Sequence, residues 1–350
     1  VVDDGTLMAP DAAASGRKEG YGDSCGGRGA WPLVGRRQLF VAGRSLECRH
    51  QPGALIAMSS TSNSLPVSQP PQLQTRKPRL TLPPGSVDCH CHIFGAPPEY
   101  PYAANRIFDP APGILLQHYL DMLQVIGVER AVIVQTGAHG TDNRVVLDAI
   151  AASGGRMRGV ALIPADISDD DLDRLHAGGI RGFRANLVSG IGVQFEASRQ
   201  LAARVARLGW HVQYLLDIEN FPSIDRDFAD FPVEVVIDHM GRPDVTRSVD
   251  APGFQALLRL LRAGRAWAKL SAPYRTSRTP FPHPDITPFA RALVDAVPHR
   301  LVWGTDWPHV RLETPMPNDG DLVDLLAEWV PDEGTRKRIL VDNAEALYGF

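Results

Sequence analysis

The sequence predicts a (β/α)8 barrel, on three observations. Short apolar, β-branched runs alternate with amphipathic helical stretches from residue 86 onward. Eight such repeats fit into roughly 265 residues, about the size of one closed barrel. No Gly-x-Gly-x-x-Gly turn follows the first run, which argues against an open, doubly wound dinucleotide-binding sheet.

With 350 residues, 44% apolar and 22% charged, the chain can bury a sizeable core. A net charge of -4 and a pI near 6.3 offer no basic face for nucleic acid. No apolar run reaches the roughly 18 to 20 residues of a membrane span. Four cysteines in this length do not make a disulfide framework, so a reducing, cytoplasmic setting is expected.

Residues 1–84 mix Gly, Ser, Pro, Arg and Gln without periodicity and read as a disordered extension. Arg36-Arg37 resembles the start of an export signal. Arg44, Glu47, Cys48, Arg49 and His50 then stand where its apolar stretch belongs, so that reading fails. Met58 opens a short Ser/Pro-rich leader and is expected to be the native start. The barrel is expected over 85–350.

Strands are expected at 87–88, 130–135 (RAVIVQ), 158–162, 182–186, 211–216, 233–237, 266–270 and 300–303, each a short run of the buried type. The helical patterns between them fall at 115–126, 144–153, 169–176, 197–208, 221–228, 253–262, 286–295 and 321–329. A last helix, 335–347, is expected to pack back over the barrel.

Barrel chemistry sits at the C-terminal strand ends and the loops that follow them. Those positions carry His90 and His92 after strand one, then Thr136, His139 and Asp142 after strand two. Arg184 and Asn186 fall at strand four, and His239 and Arg242 after strand six. Tyr274 and Arg275 follow strand seven, with Asp306 and His309 after strand eight. Alternation along a strand puts His90 and His92 on one face and Cys89 and Cys91 on the other, so both thiols are expected to face the covering helices. A cap or turn role explains His139, Asp142 or Asn186 equally well. It does not explain three histidines and an aspartate arriving from strands one, six and eight.

Three motifs carry a resemblance: His90-x-His92, Asp238-His239-Met240-Gly241-Arg242-Pro243 and Trp303-Gly304-Thr305-Asp306-Trp307-Pro308-His309. They resemble the amidohydrolase superfamily (amidohydrolase-related family 2), and within it the lactonase branch typified by 2-pyrone-4,6-dicarboxylate lactonase. The likeness runs from Ser86 to Tyr348. It implies a (β/α)8 barrel that hydrolyses cyclic esters, with His90, His92, His239 and Asp306 as the catalytic set. Such chemistry needs a base for water and donors for the developing oxyanion. Asp306 is the expected base, and the three histidines are expected to polarise the carbonyl.

Metal-binding relatives draw one more ligand from strand four or five. Here that end of strand five reads Tyr214-Leu215-Leu216-Asp217, and Lys269 lies on strand seven, off the usual bridging position. The resemblance to the pyrone lactonase implies a branch that needs no metal. A divalent ion such as zinc, if bound, would be held by His90, His92, His239 and Asp306. A metal-dependent decarboxylase on the same barrel is the alternative function, and a barrel that only binds an acidic ligand is a more distant one.

Guanidinium forks suit carboxylates, so Arg184, Arg275 and Arg242 are expected to hold the substrate, with Thr136 and His309 beside them. A structural ion pair is expected less at an inward Arg184 than at the helix arginines Arg204 and Arg207. The dicarboxylate-specific relative uses a second arginine six residues after the one matching Arg184, where this chain has Gly190. Its strand-five tyrosine matches Leu215, so Tyr214 is expected to face away from the interior. The expected substrate is therefore a lactone with one carboxylate, pyrone- or muconolactone-like, or a sugar-derived lactone, in aromatic or sugar-acid catabolism.

Overall fold

The computed structural model describes residues 65–350 apart from Ile191. The expectations of a disordered stretch over 1–64 and of a start at Met58 lie outside the described residues. Eight parallel strands run in sequential order: β1 (Val87–Cys91), β2 (Arg130–Val134), β3 (Met157–Ala161), β4 (Ile180–Asn186), β5 (His211–Leu215), β6 (Val235–Ile237), β7 (Ala266–Leu270) and β8 (Leu301–Trp303). The interleaved helices are α1 (Leu116–Ile126), α2 (Arg144–Ala152), α3 (Asp169–Ala177), α4 (Phe195–Val205), a one-turn α5 (Ile224–Asp227), α6 (Pro252–Arg262), α7 (Thr287–Ala296) and α8 (Asp319–Trp329). None is long and apolar enough to cross a membrane.

Period-two alternation sorts the strand residues into two cores. Ala131, Ile133, Phe183, Val235 and Ile237 face outward onto the helices. Val132, Val134, Val160, Val236 and Val302 fill the interior with Trp267, each contributing roughly 1.5–3 kcal/mol relative to exposure. The helices meet the outer face with stripes at helical spacing. In α1 these are Tyr119, Met122, Leu123 and Ile126, and the helix stops at Gly127, whose left-handed φ of 79° lets its N–H bond back to Leu123 O. The last helical stretch is not continuous. It divides into α9 (Glu333–Lys337), a wider turn over Arg338–Asp342 and α10 (Asn343–Tyr348), whose Tyr348 joins the interior valines.

Strand β1 is longer than expected and bulged between Asp88 and Cys91. A bulge adds a residue and resets the alternation. Cys89 therefore packs with the interior valines beside the inward His90, while Cys91 faces α1. The expectation that both thiols face the helices is corrected for Cys89. The barrel closes just past the strand ends, where Asp306 N–H bonds His90 O (2.8 Å) and His92 N–H bonds Trp307 O (2.7 Å). Gly304 permits this approach, since a Cβ there would lie 2.7 Å from His90 N. Buried Asp88 ties the seam by accepting from His90 N, Thr305 N, Thr305 Oγ1 and Tyr119 OH.

The disordered extension expected to reach residue 84 does not extend over 65–84. Gln69 Nε2 bonds Leu312 O, and Gln72 Nε2 bonds Met316 O. Arg76 N bonds Asn318 Oδ1, and Arg79 N and Leu80 N bond Asp324 Oδ1. Ser68 exchanges bonds with both sides, its N–H to Asp109 O and its Oγ from Arg311 N. These backbone and side-chain groups find partners in the barrel, so a segment without periodicity is nonetheless fixed.

Candidate active site

Four side chains converge at the C-terminal mouth. His90 and His92 come from the end of β1, His239 from the turn after β6, and Asp306 from the turn after β8. His239 and Asp306 both hold left-handed backbone, φ 50° and 64°, a conformation that costs a non-glycine residue on the order of 1–3 kcal/mol and clusters at functional sites. Asp306 Oδ1 lies 3.6 Å from His90 Nε2, 3.6 Å from His92 Nε2 and 3.7 Å from His239 Nε2. All four groups are buried, and neither Asp306 Oδ1 nor His90 Nε2 has a hydrogen-bond partner among the described residues. The other oxygen, Oδ2, accepts from Arg275 Nε (2.7 Å) and Tyr274 OH (3.0 Å).

Each ring is anchored from behind. His92 Nδ1 donates to Val134 O (2.8 Å), so its Nε2 presents a lone pair unless the ring is charged. His239 Nδ1 meets Ser271 Oγ at 2.8 Å. His90 Nδ1 lies 3.2 Å from Asp238 Oδ1 and 3.2 Å from Lys269 Nζ. Burial holds His92 down to about 4 and His239 to about 3, and burial with Lys269 nearby lowers His90 as well. Three neutral imidazoles thus face one carboxylate. Burial works against ionising Asp306, yet Arg275 and the imidazoles hold it far below the usual carboxylate range.

Beneath this set lies a second charged layer that includes residues the sequence reading did not select. Asp238 accepts from Arg184 (Nη2 3.0 Å, Nε 3.2 Å) and Gln213 Nε2 (3.2 Å), with Lys269 Nζ at 3.4 Å. Lys269 also donates to Cys89 O (2.8 Å) and Gln213 Oε1 (2.7 Å). Burial opposes the Asp238 charge, but His90, Lys269 and Arg184 facing it keep its pKa well below normal. Alternation counted back from the strand ends would have turned Gln213 and Lys269 inward. Asp238 was hidden by sitting next to the histidine that drew attention.

The residues expected to bind substrate divide. Arg184, Arg242, Arg275 and Thr136 line a cavity of about 430 Å³ with His92, His239 and Asp306 at its floor. Arg184 is not free of an ion pair, as the Asp238 contact shows; its Nη1 takes no part in that pair. Arg275 is committed through Nε and Nη2 to Asp306 and through Nη1 to Val310 O. Arg242 gives Nε to Asp217 (2.6 Å). Thr136 Oγ1 accepts from Ala138 N. His309 does not line the cavity: it is buried behind Tyr274, whose OH meets its Nδ1 at 2.6 Å. Asn186 also lines the cavity while accepting from Val188 N and Ser189 N in its own turn. His139 and Asp142 border a different cavity of about 670 Å³, roomier but without Asp306 or the three histidines. Tyr214 faces outward among Phe228, Phe231 and Ser198, and Leu215 takes the cavity wall.

The donor set suits a divalent cation. Zinc takes His nitrogen and carboxylate oxygen at about 2.0–2.2 Å, which places tetrahedral ligand atoms roughly 3.3–3.6 Å apart. The three distances to Asp306 Oδ1 are 3.6, 3.6 and 3.7 Å, and Asp306 Oδ1 and His90 Nε2 have no hydrogen-bond partner among the described residues. Of the four expected ligands, His90, His92 and Asp306 bring ligand atoms within 4.8 Å of one another and would hold such an ion, whereas His239 is close to Asp306 Oδ1 but is not part of that group. The strand-five ligand of metal-binding relatives is absent, because the inward residues of β5 are Leu215 on the cavity wall and Gln213 below it, the latter bonded to Lys269 and Asp238.

The model of the family described as Amidohydrolase matches residues 87–350. A 2-pyrone-4,6-dicarboxylate hydrolase of Comamonas testosteroni is 41% identical over 284 residues, covering 78% of this chain and 92% of that one. A 4-sulfomuconolactone hydrolase of Hydrogenophaga intermedia is 37% identical, covering 80% and 93%. A crystal structure of an Agrobacterium tumefaciens protein superposes with a TM-score of 0.70 at 30% identity, covering 78% of this chain and 98% of that one.

Proposed function

The chain belongs to the amidohydrolase family, and from that membership we propose that it opens the ring of a lactone with water. One observation carries the reading. A buried carboxylate oxygen, Asp306 Oδ1, without a hydrogen-bond partner among the described residues, faces three imidazole nitrogens at the floor of a cavity lined by Arg184, Arg242 and Arg275. The two relatives above are named as hydrolases of cyclic esters, so the decarboxylase alternative is not favoured.

In this reading water is placed against Asp306 Oδ1, which takes its proton as the hydroxide attacks the ring carbonyl. His92 Nε2, which presents its lone pair 3.6 Å away, accepts that proton in turn. The imidazolium so formed is stabilised by Asp306 and returns the proton to the ring oxygen as it leaves. His239 donates to the carbonyl oxygen in the tautomer that carries its proton on Nε2, with Ser271 then donating to Nδ1. The expected carbonyl-polarising role suits His239 best, since Nδ1 of neutral His92 already holds that ring's proton. A divalent cation, when bound, would act as a Lewis acid on the carbonyl or water. Turnover does not require it: strand β5 supplies no ligand, and Lys269 places an ammonium 3.4 Å from Asp238.

With Arg275 consumed by Asp306, the cationic groups left on the cavity wall are Arg184 Nη1, the Nη atoms of Arg242 and the exposed Arg311, with Glu313 on the same wall offsetting one of them. That suits one carboxylate, on a pyrone- or muconolactone-like ring or a sugar lactone. Buried free thiols at Cys89 and Cys91 accord with a reducing, cytoplasmic setting. The test is a panel of such lactones assayed on metal-analysed protein with and without chelator. Turnover of a monocarboxylate or sugar lactone that survives chelation is expected. A panel with no hydrolysis rejects the function, activity lost on chelation rejects metal independence, and preference for the pyrone dicarboxylate rejects the substrate class.

A further inference from the structure

We propose that His309 and Asp319 are positioning residues that fix the Asp306 carboxylate through the Tyr274 hydroxyl. The inference rests on the hydrolytic reading for the role of Asp306. Four buried polar side chains stand in line: Asp306 Oδ2, Tyr274 OH at 3.0 Å, His309 Nδ1 at 2.6 Å from that hydroxyl, and Asp319 Oδ1 at 3.3 Å from His309 Nε2. Asp319, His309 and Asp306 are at most 1% exposed, and Tyr274 5%. Among the described residues neither His309 Nε2 nor either Asp319 oxygen has a hydrogen-bond partner. Three buried polar atoms so placed are costly unless they serve one another.

Hydrogen-bond counting gives the line its direction. A tyrosine hydroxyl has one proton and two possible acceptors here. Asp306 Oδ2 already receives Arg275 and has no proton to give, so Tyr274 donates to it and must accept from His309 Nδ1. His309 then turns Nε2 toward Asp319 Oδ1, 3.3 Å away, so that the carboxylate stands behind the ring on the side opposite Tyr274. The backbone holds the same arrangement: His309 N–H bonds Asp306 O (2.8 Å), and His309 takes a left-handed φ of 60°. Asp319 is the first residue of α8, capped by Asn318 Oδ1 accepting from Gly320 N. The helix start therefore serves as the fixed end of the line.

With Oδ2 held by both Tyr274 and Arg275, the carboxylate cannot rotate, and Oδ1 stays aimed at the three ring nitrogens. Neither His309 nor Asp319 lines the cavity, so their loss acts on turnover rather than on binding.

The experiment is a double-mutant cycle on a lactone the enzyme hydrolyses, using Asp319→Asn, Tyr274→Phe and the pair, with folding followed by circular dichroism. Asp319→Asn is expected to lower kcat roughly 10-fold or more with KM within about 2-fold, and to add nothing in the Tyr274→Phe background. Unchanged kcat in folded Asp319→Asn, or effects that multiply in the pair, overturns the proposal. His309→Gln replaces Asp319→Asn in the same cycle if the latter fails to fold. A crystal structure of the folded variant reads the geometry without turnover. A hydroxyl displaced from Asp306 Oδ2 supports the proposal and an unmoved one overturns it, even if no lactone is hydrolysed and the functional reading falls.

Discussion

Truncating Asp238 tests the charged layer beneath the catalytic set. Asp238→Ala removes the acceptor of Arg184, Gln213 and the His90 ring, and strands two cations. The Lys269 side chain is 0% exposed, 3.4 Å from Asp238, and that of Arg184 is 8% exposed, 3.0 Å away. Breaking a buried pair by removing one partner costs about 3–5 kcal/mol, because the remaining charge has neither water nor counter-ion. At about 2 °C per kcal/mol for a domain of this size, the melting temperature should fall by roughly 6–10 °C. Adding Lys269→Met to Asp238→Ala removes one stranded cation and should recover part of the loss. Thermal and urea unfolding at pH 7 measure both. A drop under about 2 °C, or a double variant no more stable than the single, would refute the view that Asp238 neutralises a buried cationic cluster.

Two further outcomes follow from the same geometry. Asp306→Asn should lose turnover by roughly 10²-fold or more while the barrel stays folded, since the amide still accepts from Tyr274; wild-type rates in that variant would remove Asp306 as the base. On acidification from pH 6.5 to 4, the unfolded chain takes up protons that folded His92 (about 4) and His239 (about 3) refuse, so stability falls as pH falls. Asp88, raised to about 6 by burial, works in the opposite sense, because the folded site binds its proton first. Asp238 and Asp306, held low, contribute stability that is complete above about pH 4 and is lost only at lower pH. Melting temperatures should decline from pH 7 to pH 4, and a rise across that range would contradict the histidine assignment.

How much of this was legible in the sequence depends on which physical rule each residue obeys. The barrel was legible because alternating runs such as 130–135 and stripes such as Tyr119, Met122, Leu123 and Ile126 follow local periodicity. His90, His92, His239 and Asp306 were legible because strand ends are countable. Cys89 was misplaced because a bulge resets alternation without leaving a glycine or proline as a mark. Arg184 and His309 were correctly placed on their elements, but their partners Asp238 and Asp319 lie 54 and 10 residues away, and pairing at such distances is decided by tertiary packing. Residues 65–84 misled for the opposite reason. Their composition is that of a loop, and their order comes from partners more than 240 residues later.

Those late partners make the entrance conditional on the barrel. Joining residues 69 and 312 in a free chain would require closing a loop of over 240 residues. Once β8 has docked against β1, that closure entropy has been met by the sheet, and the strap loses only its own freedom. It then spans two loops of the mouth, the one ending at Asp109 and the one carrying Arg311 and Leu312. The width of the entrance is thereby coupled to the integrity of the seam between the first and last strands, the same seam that carries His90, His92 and Asp306.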